Sequence, residues 1–419
     1  MKRYLILAVL LLTAFSCGKD NPREETGQYT LRQQRSEKRG VSYNFGTFPS
    51  QEIDLLGPGT SWSYDWSNRI PSDERLNGFA RQRMDWIPMI WNNNYSADNI
   101  RRWKQTHPEA QYILAYNEPN LTDQANMTPS QAAEKWPEIV SLAKELGMKL
   151  ISPAMNYGTL DGYHDPYKWL DEFFAQPGVS LDDVDGIACH CYMGSASAVK
   201  SFLDGFKKYG KPLWLTEFCI GNNTTAQAHQ MYMSQTLNML EGNPDVARYA
   251  WFIPYGDKFL PWHNNLLTLD KATKSFVLTD LGKVFVNMST FDKSIFYKAD
   301  EVIPAEQYAE ASGYLLLAPS TDGGVLDIAD LGTGGRASYQ LDLAEGGVYS
   351  LTLRYACESD AGAVFSCGET ELGRKKLPST GGQWRTGSFD VTLPAGKSVL
   401  SVEGTTTPGI RLNWMKITK

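Results

Sequence analysis

The chain has 419 residues, 40 basic and 47 acidic side chains, and a formal net charge of −7 at pH 7. That length gives two or three domains with chain enough for a large core, and the acidic balance argues against nucleic acid as a partner, since duplex binding rests on cationic contacts to phosphate. With 21% charged and 12% aromatic residues the chain is a folding one, and ten of its twelve tryptophans fall between Trp62 and Trp262, so the reason for that crowding lies in that part of the chain.

Met1-Lys2-Arg3 and the apolar run Tyr4 to Phe15 predict a secretory leader over residues 1–16, too short to span a bilayer. Ala14-Phe15-Ser16-Cys17 resembles a bacterial lipobox. Cys17 is therefore the expected lipidation site, and the protein an expected lipoprotein of the bacterial outer membrane or cell surface. Residues 17–38 are polar and aperiodic, which predicts a tether. No later segment approaches 18 consecutive apolar residues, so the lipid is the expected membrane attachment.

From residue 39 to 290, short β-rich apolar runs (40–44, 61–66, 85–91, 112–118, 149–156, 185–192, 212–218 and 248–255) alternate with helical patterns (96–105, 129–146, 197–209, 226–241 and 279–288). Segments 45–60 and much of 157–184 show no clear helical pattern. The alternation predicts an α/β domain of the (β/α)8 TIM barrel type. Residues 291–303 read as a linker. Over 304–419 the short alternating runs 348–356, 384–393 and 397–404, punctuated by Gly, Pro, Thr and Asp, predict an all-β sandwich.

Five cysteines follow Cys17. Cys189 and Cys191 lie two apart on a predicted strand and read as buried thiols. Cys357 and Cys367 either bridge a hairpin in an oxidising compartment or remain reduced. No Cys/His cluster has zinc spacing, and neither metal nor cofactor is expected.

A barrel carries its chemistry at the C-terminal ends of its strands. Glu118 and Glu217 end the fourth and seventh predicted strands, the paired carboxylates that glycoside hydrolysis requires. His190 and Tyr192 alternate on one strand and should point together into the barrel mouth. Trp66, Trp91 and Trp251 end the second, third and eighth strands, where aromatic faces suit the apolar faces of pyranose rings.

Asn117-Glu118-Pro119 on the fourth strand with Glu217 on the seventh resembles the signature of retaining clan A glycosidases. Lys38 to Asn44, Ser61 to Trp66, Asn117 to Pro119, His190-Cys191-Tyr192 and Trp214 to Phe218 together resemble glycoside hydrolase family 128, the β-1,3-glucanases, over about residues 38 to 290. The resemblance implies that Glu118 is the general acid/base and Glu217 the nucleophile of an endo-acting retaining attack on β-1,3-glucan. It implies that Asn117 meets the 2-hydroxyl of the reacting sugar, that Tyr192 holds Glu217 ionised, that His190 orients sugar or carboxylate, and that Trp251 floors the cleft. The two carboxyl groups are then expected to have pKa values pushed apart, Glu118 protonated and Glu217 ionised. The alternatives are the same chemistry on β-1,4- or β-1,6-glucan, or a surface lipoprotein that binds glycan without cutting it. A monomer is expected.

Residues 304–419 resemble a family 6 carbohydrate-binding module through Ala305 to Tyr308, Val348 to Ala356, Thr380 to Trp384 and Ile410 to Trp414. The resemblance makes Tyr355 and Trp384 the sugar-sandwiching pair. Arg411 stands where a ligand-binding Asn is common, and Asn413 and Pro304 replace carboxylates that often hold a structural calcium.

Overall fold

The computed structural model describes residues 32–221 and 224–419. The leader, Cys17 and most of the tether lie outside the described residues. Residues 33–290 with 316–319 form one compact unit; Arg32, 291–315 and 320–419 belong to the other.

The first unit alternates strand and helix: β1 (Arg39–Ser42), α1 (Pro49–Leu56), β2 (Trp62–Tyr64), α2 (Asp73–Gln82), β3 (Asp85–Trp86), α3 (Ala97–Thr106), β4 (Tyr112–Leu114), α4 (Pro129–Ala133), α5 (Trp136–Leu146), β5 (Lys149–Ile151), α6 (Pro166–Phe174), β6 (Ile187–Cys191), α7 (Ala196–Phe206), β7 (Leu213–Phe218), α8 (Ala226–Gly242) and β8 (Val246–Trp251). A hairpin of β9 (Leu267–Asp270) and β10 (Ser275–Leu278) precedes α9 (Asp280–Asn287). Six strands form a parallel sheet in the order β3-β2-β1-β8-β7-β6, and β4 pairs with β5. Single parallel bridges from Met89 to Leu114 and from Ile151 to Gly186 tie that pair to its neighbours.

Local signals explain most helix starts. Thr128 and Gln131 form a capping box with Pro129 in the first turn of α4. Gly147, at φ 60°, ends α5. The stretch 129–146, expected as one helix, is two, because Pro137 lacks the amide that would continue α4 and instead sits in the first turn of α5. Helices α1 and α6 occupy segments with no clear helical pattern. Each is short and opens on a proline, and α6 buries Trp169, Leu170 and Phe173 on one face.

Inside the sheet, Trp62, Tyr64, Met89, Leu114, Ile151, Ala188 and Trp214 pack as one cluster. Trp62 and Trp214 meet edge to face at 5.6 Å. The Arg248 guanidinium covers the rings of Trp62, Tyr112 and Trp214 at 5.6, 5.0 and 5.3 Å. Trp62, Tyr112 and Trp214 stand at or next to the start of β2, β4 and β7, so that end is filled and the chemistry is left to the opposite one.

Arg39 on β1 is fully buried and uses its whole guanidinium. It pairs with Glu241 at 3.0 Å, donates to the Tyr249 hydroxyl at 3.0 Å, and donates to the carbonyls of Phe285 and Ser289 at 2.6 and 3.1 Å. Nearby, Gln33 donates to the Asn287 carbonyl at 3.2 Å and accepts from the Thr290 amide at 3.1 Å. Ser36 is buried and donates to Glu241 at 2.9 Å, while Lys38 donates to the Glu241 and Asn243 carbonyls at the end of α8. Residues 33–38, expected as the end of a tether, are therefore part of this unit.

The second unit is built from two sheets with antiparallel pairing. One orders Leu326–Leu331, Ile410–Thr418, Gly347–Ala356 and Arg385–Leu393, with Val302–Pro304 also on Ile410–Thr418. The other orders Glu310–Ser312, Arg336–Leu343, Gly396–Gly404, Ala361–Cys367 and Thr370–Leu377. Phe365 of one meets Phe389 of the other at 5.0 Å. The 291–303 segment is not a free linker: Tyr297 is 1% exposed and bridges to Leu341, and Val302–Pro304 is a strand. Cys357 and Cys367 are both free thiols. The strand 361–367 carries Cys367 roughly 20 Å along from its start, and Cys357 Sγ sits 3.2 Å from the Pro378 carbonyl.

Candidate active site

Glu118 follows β4 and is 6% exposed; Glu217 lies within β7 and is 5% exposed. Glu118 holds a left-handed backbone at φ 44° although Pro119 follows it, and Trp66 does so at φ 57°. Neither conformation is favourable for these residues, and the first is further disfavoured before proline. The strain sits at the two loops that carry the site. A bulge between β6 and β7 brings His190 opposite Glu217.

His190 Nδ1 lies 2.8 Å from Glu118 Oε1 and 3.6 Å from Glu217 Oε2. Asn156 Nδ2 also donates to Glu118 Oε1, at 3.0 Å. Glu217 Oε1 accepts from the Tyr64 hydroxyl at 3.0 Å and from Trp66 Nε1 at 2.6 Å, and Oε2 accepts from the Tyr192 hydroxyl. An oxygen from each carboxylate and a ring nitrogen of His190 lie within 4.8 Å of one another. That spacing alone would suit a metal ion. The three donors on Glu217 already use its oxygens, and hydrogen-bonded carboxylates are the better description.

The electrostatics follow from this packing. Burial pushes Glu118 up, but the charge of His190 and the hydrogen bonds from His190 and Asn156 outweigh it and hold Glu118 below the usual carboxylate range. Burial and the charge of Glu118 raise Glu217 against His190, Tyr192 and Trp66. His190 is itself raised: burial opposes its charge, but Glu217 and Glu118 together outweigh that. This order is the reverse of the one expected for the two carboxylates. The reason is His190, which lies 2.8 Å from Glu118 and whose charge and hydrogen bond favour the ionised form of that carboxylate. Burial and Glu217 push the Tyr64 and Tyr192 phenols up, so both stay as donors.

Asn117 is 3% exposed; its Nδ2 donates to Gln124 at 3.1 Å and its Oδ1 is buried without a partner. Trp91 is half-buried, and its carbonyl accepts from the Asn117 amide at 3.0 Å. Trp66 meets Phe252 edge to face at 6.1 Å, and Tyr192 meets the same ring at 5.6 Å. Trp251, expected at the cleft floor, is fully buried elsewhere: it packs on Phe218, Tyr232 and Phe285, and its Nε1 donates to the Asn264 carbonyl at 2.8 Å. Side chains alternate along a strand, so the residue facing Trp66 is its neighbour Phe252. Tyr64, Asn156 and Phe252 were not singled out from sequence. Tyr64 was accessible there, being two residues from Trp66 in Ser61-Trp62-Ser63-Tyr64-Asp65-Trp66.

In the second unit, of the two aromatics expected to hold a sugar, one is buried and the other has a face covered by a cation. Tyr355 is 3% exposed. Trp384 carries the Arg411 guanidinium over its ring at 4.9 Å, and both Trp384 Nε1 and Arg411 Nη2 donate to Thr321 Oγ1 at 3.0 Å. Arg411 is held in place by Asp327 at 3.5 Å.

A buried carboxylate pair at the C-terminal ends of parallel strands is the working arrangement of a glycoside hydrolase. Residues 40–285, more than half of the chain, match the family described as Glycosyl hydrolase catalytic core, and the chain belongs to that family. Its α/β unit is similar to a subgroup II endo-β-1,3-glucanase of glycoside hydrolase family 128 from Pseudomonas viridiflava, at 36% identity over 60% of this chain and 98% of that one, with a TM-score of 0.53. It is also similar to a subgroup II endo-β-1,3-glucanase from Sorangium cellulosum, at 31% identity over 59% and 97% of the two chains, with a TM-score of 0.52. Alkali-sensitive linkage protein 1 of Schizosaccharomyces pombe is 24% identical over 260 residues, 60% of this chain; the chain spans 45% of the length of that relative.

Proposed function

We propose that the protein is a retaining, endo-acting β-1,3-glucan hydrolase, with Glu118 as acid/base and Glu217 as nucleophile on a closed (β/α)8 barrel. The mechanism rests on one observation above all: an oxygen of Glu118 and an oxygen of Glu217 lie within 4.8 Å. Retaining enzymes hold their carboxyl groups roughly 5–5.5 Å apart, whereas inverting enzymes need about 6.5–9.5 Å to admit a water. The two solved relatives, both endo-β-1,3-glucanases, support the substrate. The bridges that link β4 and β5 to the larger sheet support closure.

In this reading Glu217 attacks the anomeric carbon while Glu118 protonates the departing glycosidic oxygen. The glycosyl-enzyme ester is then opened by a water that Glu118 deprotonates. Glu118 Oε2 makes no hydrogen bond among the described residues and is the oxygen left to carry the transferred proton. Tyr64, Trp66 and Tyr192 hold Glu217 for attack, and the unpartnered Asn117 Oδ1 accepts from a sugar hydroxyl. Trp66, Trp91 and Phe252 supply apolar cleft wall.

A panel of β-1,3-, β-1,4- and β-1,6-glucans tests this reading. Products are expected from the β-1,3 polymer with the β-anomer formed first. A first-formed α-anomer, or no release between about pH 4 and 8, sinks it. In Glu118→Gln, kcat on glucan should fall about 10²- to 10⁴-fold, while glycosides with strongly acidic leaving groups keep a rapid first step. An equal loss on both substrates would remove Glu118 from the acid role.

Glu217 must be ionised and is raised, so activity is lost as pH falls through its pKa. The His190–Glu118 proton must be present, and His190 is raised above 6.5, so activity is lost as pH rises through that higher value. His190→Gln leaves Glu118 alone to hold the proton, and the alkaline limb of kcat/KM is expected to move toward acid. An unmoved limb would separate His190 from the proton.

A further inference from the structure

We propose that Asp65 is a positioning residue for the nucleophile: through its ion pair with Arg75 it holds Trp66 where the indole donates to Glu217. The inference rests on the hydrolase reading above. Three features carry it.

The first is position. Asp65 lies just past β2, between Tyr64 and Trp66, whose hydroxyl and indole both donate to Glu217 Oε1, at 3.0 and 2.6 Å. Side chains alternate along an extended segment, so Tyr64 and Trp66 share one side and Asp65 takes the other. Its contacts agree. Asp65 Oδ1 accepts from Trp86 Nε1 on β3 at 3.1 Å, and Oδ2 accepts from Arg75 Nη1 on α2 at 3.0 Å.

The second is need. Tyr64 is placed by the sheet itself: it pairs with Ser42 of β1, and its carbonyl accepts from the Tyr43 amide at 2.9 Å. Trp66 lies two residues past the end of β2 and holds a left-handed backbone at φ 57°. That conformation is unfavourable for a bulky side chain and persists only where the surroundings enforce it. The carboxylate of the preceding residue is the anchor at hand.

The third is the quality of that anchor. The Asp65 side chain is 9% exposed and that of Arg75 19%, so the pair is little screened and its charge-assisted bonds are strong. Arg75 Nη2 also donates to Asn44 Oδ1, just past β1, at 2.5 Å. One guanidinium thus ties the segments after β1 and β2 to α2, while Trp86 fixes the other carboxylate oxygen to β3. On the far side of Trp66, the Ser67 carbonyl accepts from the Met89 amide at 2.9 Å. The backbone is held on both sides of the indole.

The test compares Asp65→Asn, Trp66→Phe and the double variant on β-1,3-glucan. Asparagine can still accept from Trp86 but offers no charge to Arg75. The Trp66 hydrogen bond favours ionised Glu217, so its loss raises that group, and the acid limb of kcat/KM is expected to move to higher pH in Trp66→Phe. Asp65→Asn should move the same limb in the same direction and lower kcat/KM at the optimum about tenfold. The double variant should be no worse than Trp66→Phe, because both changes act on one bond. Should Asp65→Asn fail to fold, Arg75→Lys tests the same anchor: it keeps the charge but not the fork, and a smaller move of the limb in the same direction is expected. Losses that add in the double variant overturn the assignment. So does an acid limb that stays put in Asp65→Asn or Arg75→Lys while the midpoint of thermal unfolding drops, the mark of a purely structural pair. A wild-type protein that releases nothing from the glucan overturns the hydrolase reading itself, and the two failures are distinguishable.

Discussion

Glu217→Ala is expected to lower kcat on β-1,3-glucan by on the order of 10⁵-fold, the scale of removing a covalent nucleophile, and added azide to restore measurable turnover. The carboxylate is the convergence point of Tyr64, Trp66 and Tyr192. Truncation leaves those donors around a vacated, anion-sized space with nothing to accept from them. A small anion entering that space approaches the anomeric carbon from the face the carboxylate used. The product should be the α-glycosyl azide, formed by one displacement and identifiable by NMR. Activity equal to wild type would remove Glu217 from the nucleophile role. Full loss with no azide product, in a protein whose thermal unfolding is unchanged, would count against double displacement.

The second large effect is on stability. Arg39→Met is expected to cost about 3–5 kcal/mol, because removing one partner of a buried ion pair leaves the other charge uncompensated. Here the loss is wider than the pair. Glu241 would keep Tyr249 and Ser36 as donors but lose its cation, and the carbonyls of Phe285 and Ser289 would lose theirs. For a unit of this size the midpoint of thermal unfolding should drop by roughly 6–20 °C. Replacing both residues, Arg39→Met with Glu241→Leu, should recover much of that loss, since no charge then stays buried alone. A single variant within about 1 kcal/mol of wild type would show the clamp to be dispensable.

The positions of Glu118 and Glu217 were legible because each ends an apolar run in a chain that alternates strand and helix. That signal is local and survives uncertain strand boundaries. Trp251 shows the limit of the same reasoning. One residue along a strand exchanges inside for outside, and only the pairing of Phe218 with Trp251 fixes which of Trp251 and Phe252 faces the cleft. The order of the carboxylate pKa values was hidden for a related reason: it depends on a bulge that brings His190 opposite Glu217, and a bulge has no reliable sequence mark. Helix α2 went unmarked because most of its surface is polar and only Gly78 and Phe79 are buried. In the second unit, Trp384 stands in a loop as the resemblance implies, yet its partners Thr321 and Arg411 come from distant parts of the chain. Contacts of that range are properties of the fold and have no local pattern.

The hydrogen bonds between Gln33 and both Asn287 and Thr290 have a consequence for engineering. They place residue 33 beside residues 287 and 290, so the backbone from 33 to 290 is nearly a ring. Joining residue 290 to residue 33 with a short Gly/Ser insert and opening the chain at an exposed loop would preserve every strand neighbour and the Arg39 clamp. A circular permutant of this kind could put its new ends on the face away from the cleft, where a fused partner would not obstruct a polymeric substrate.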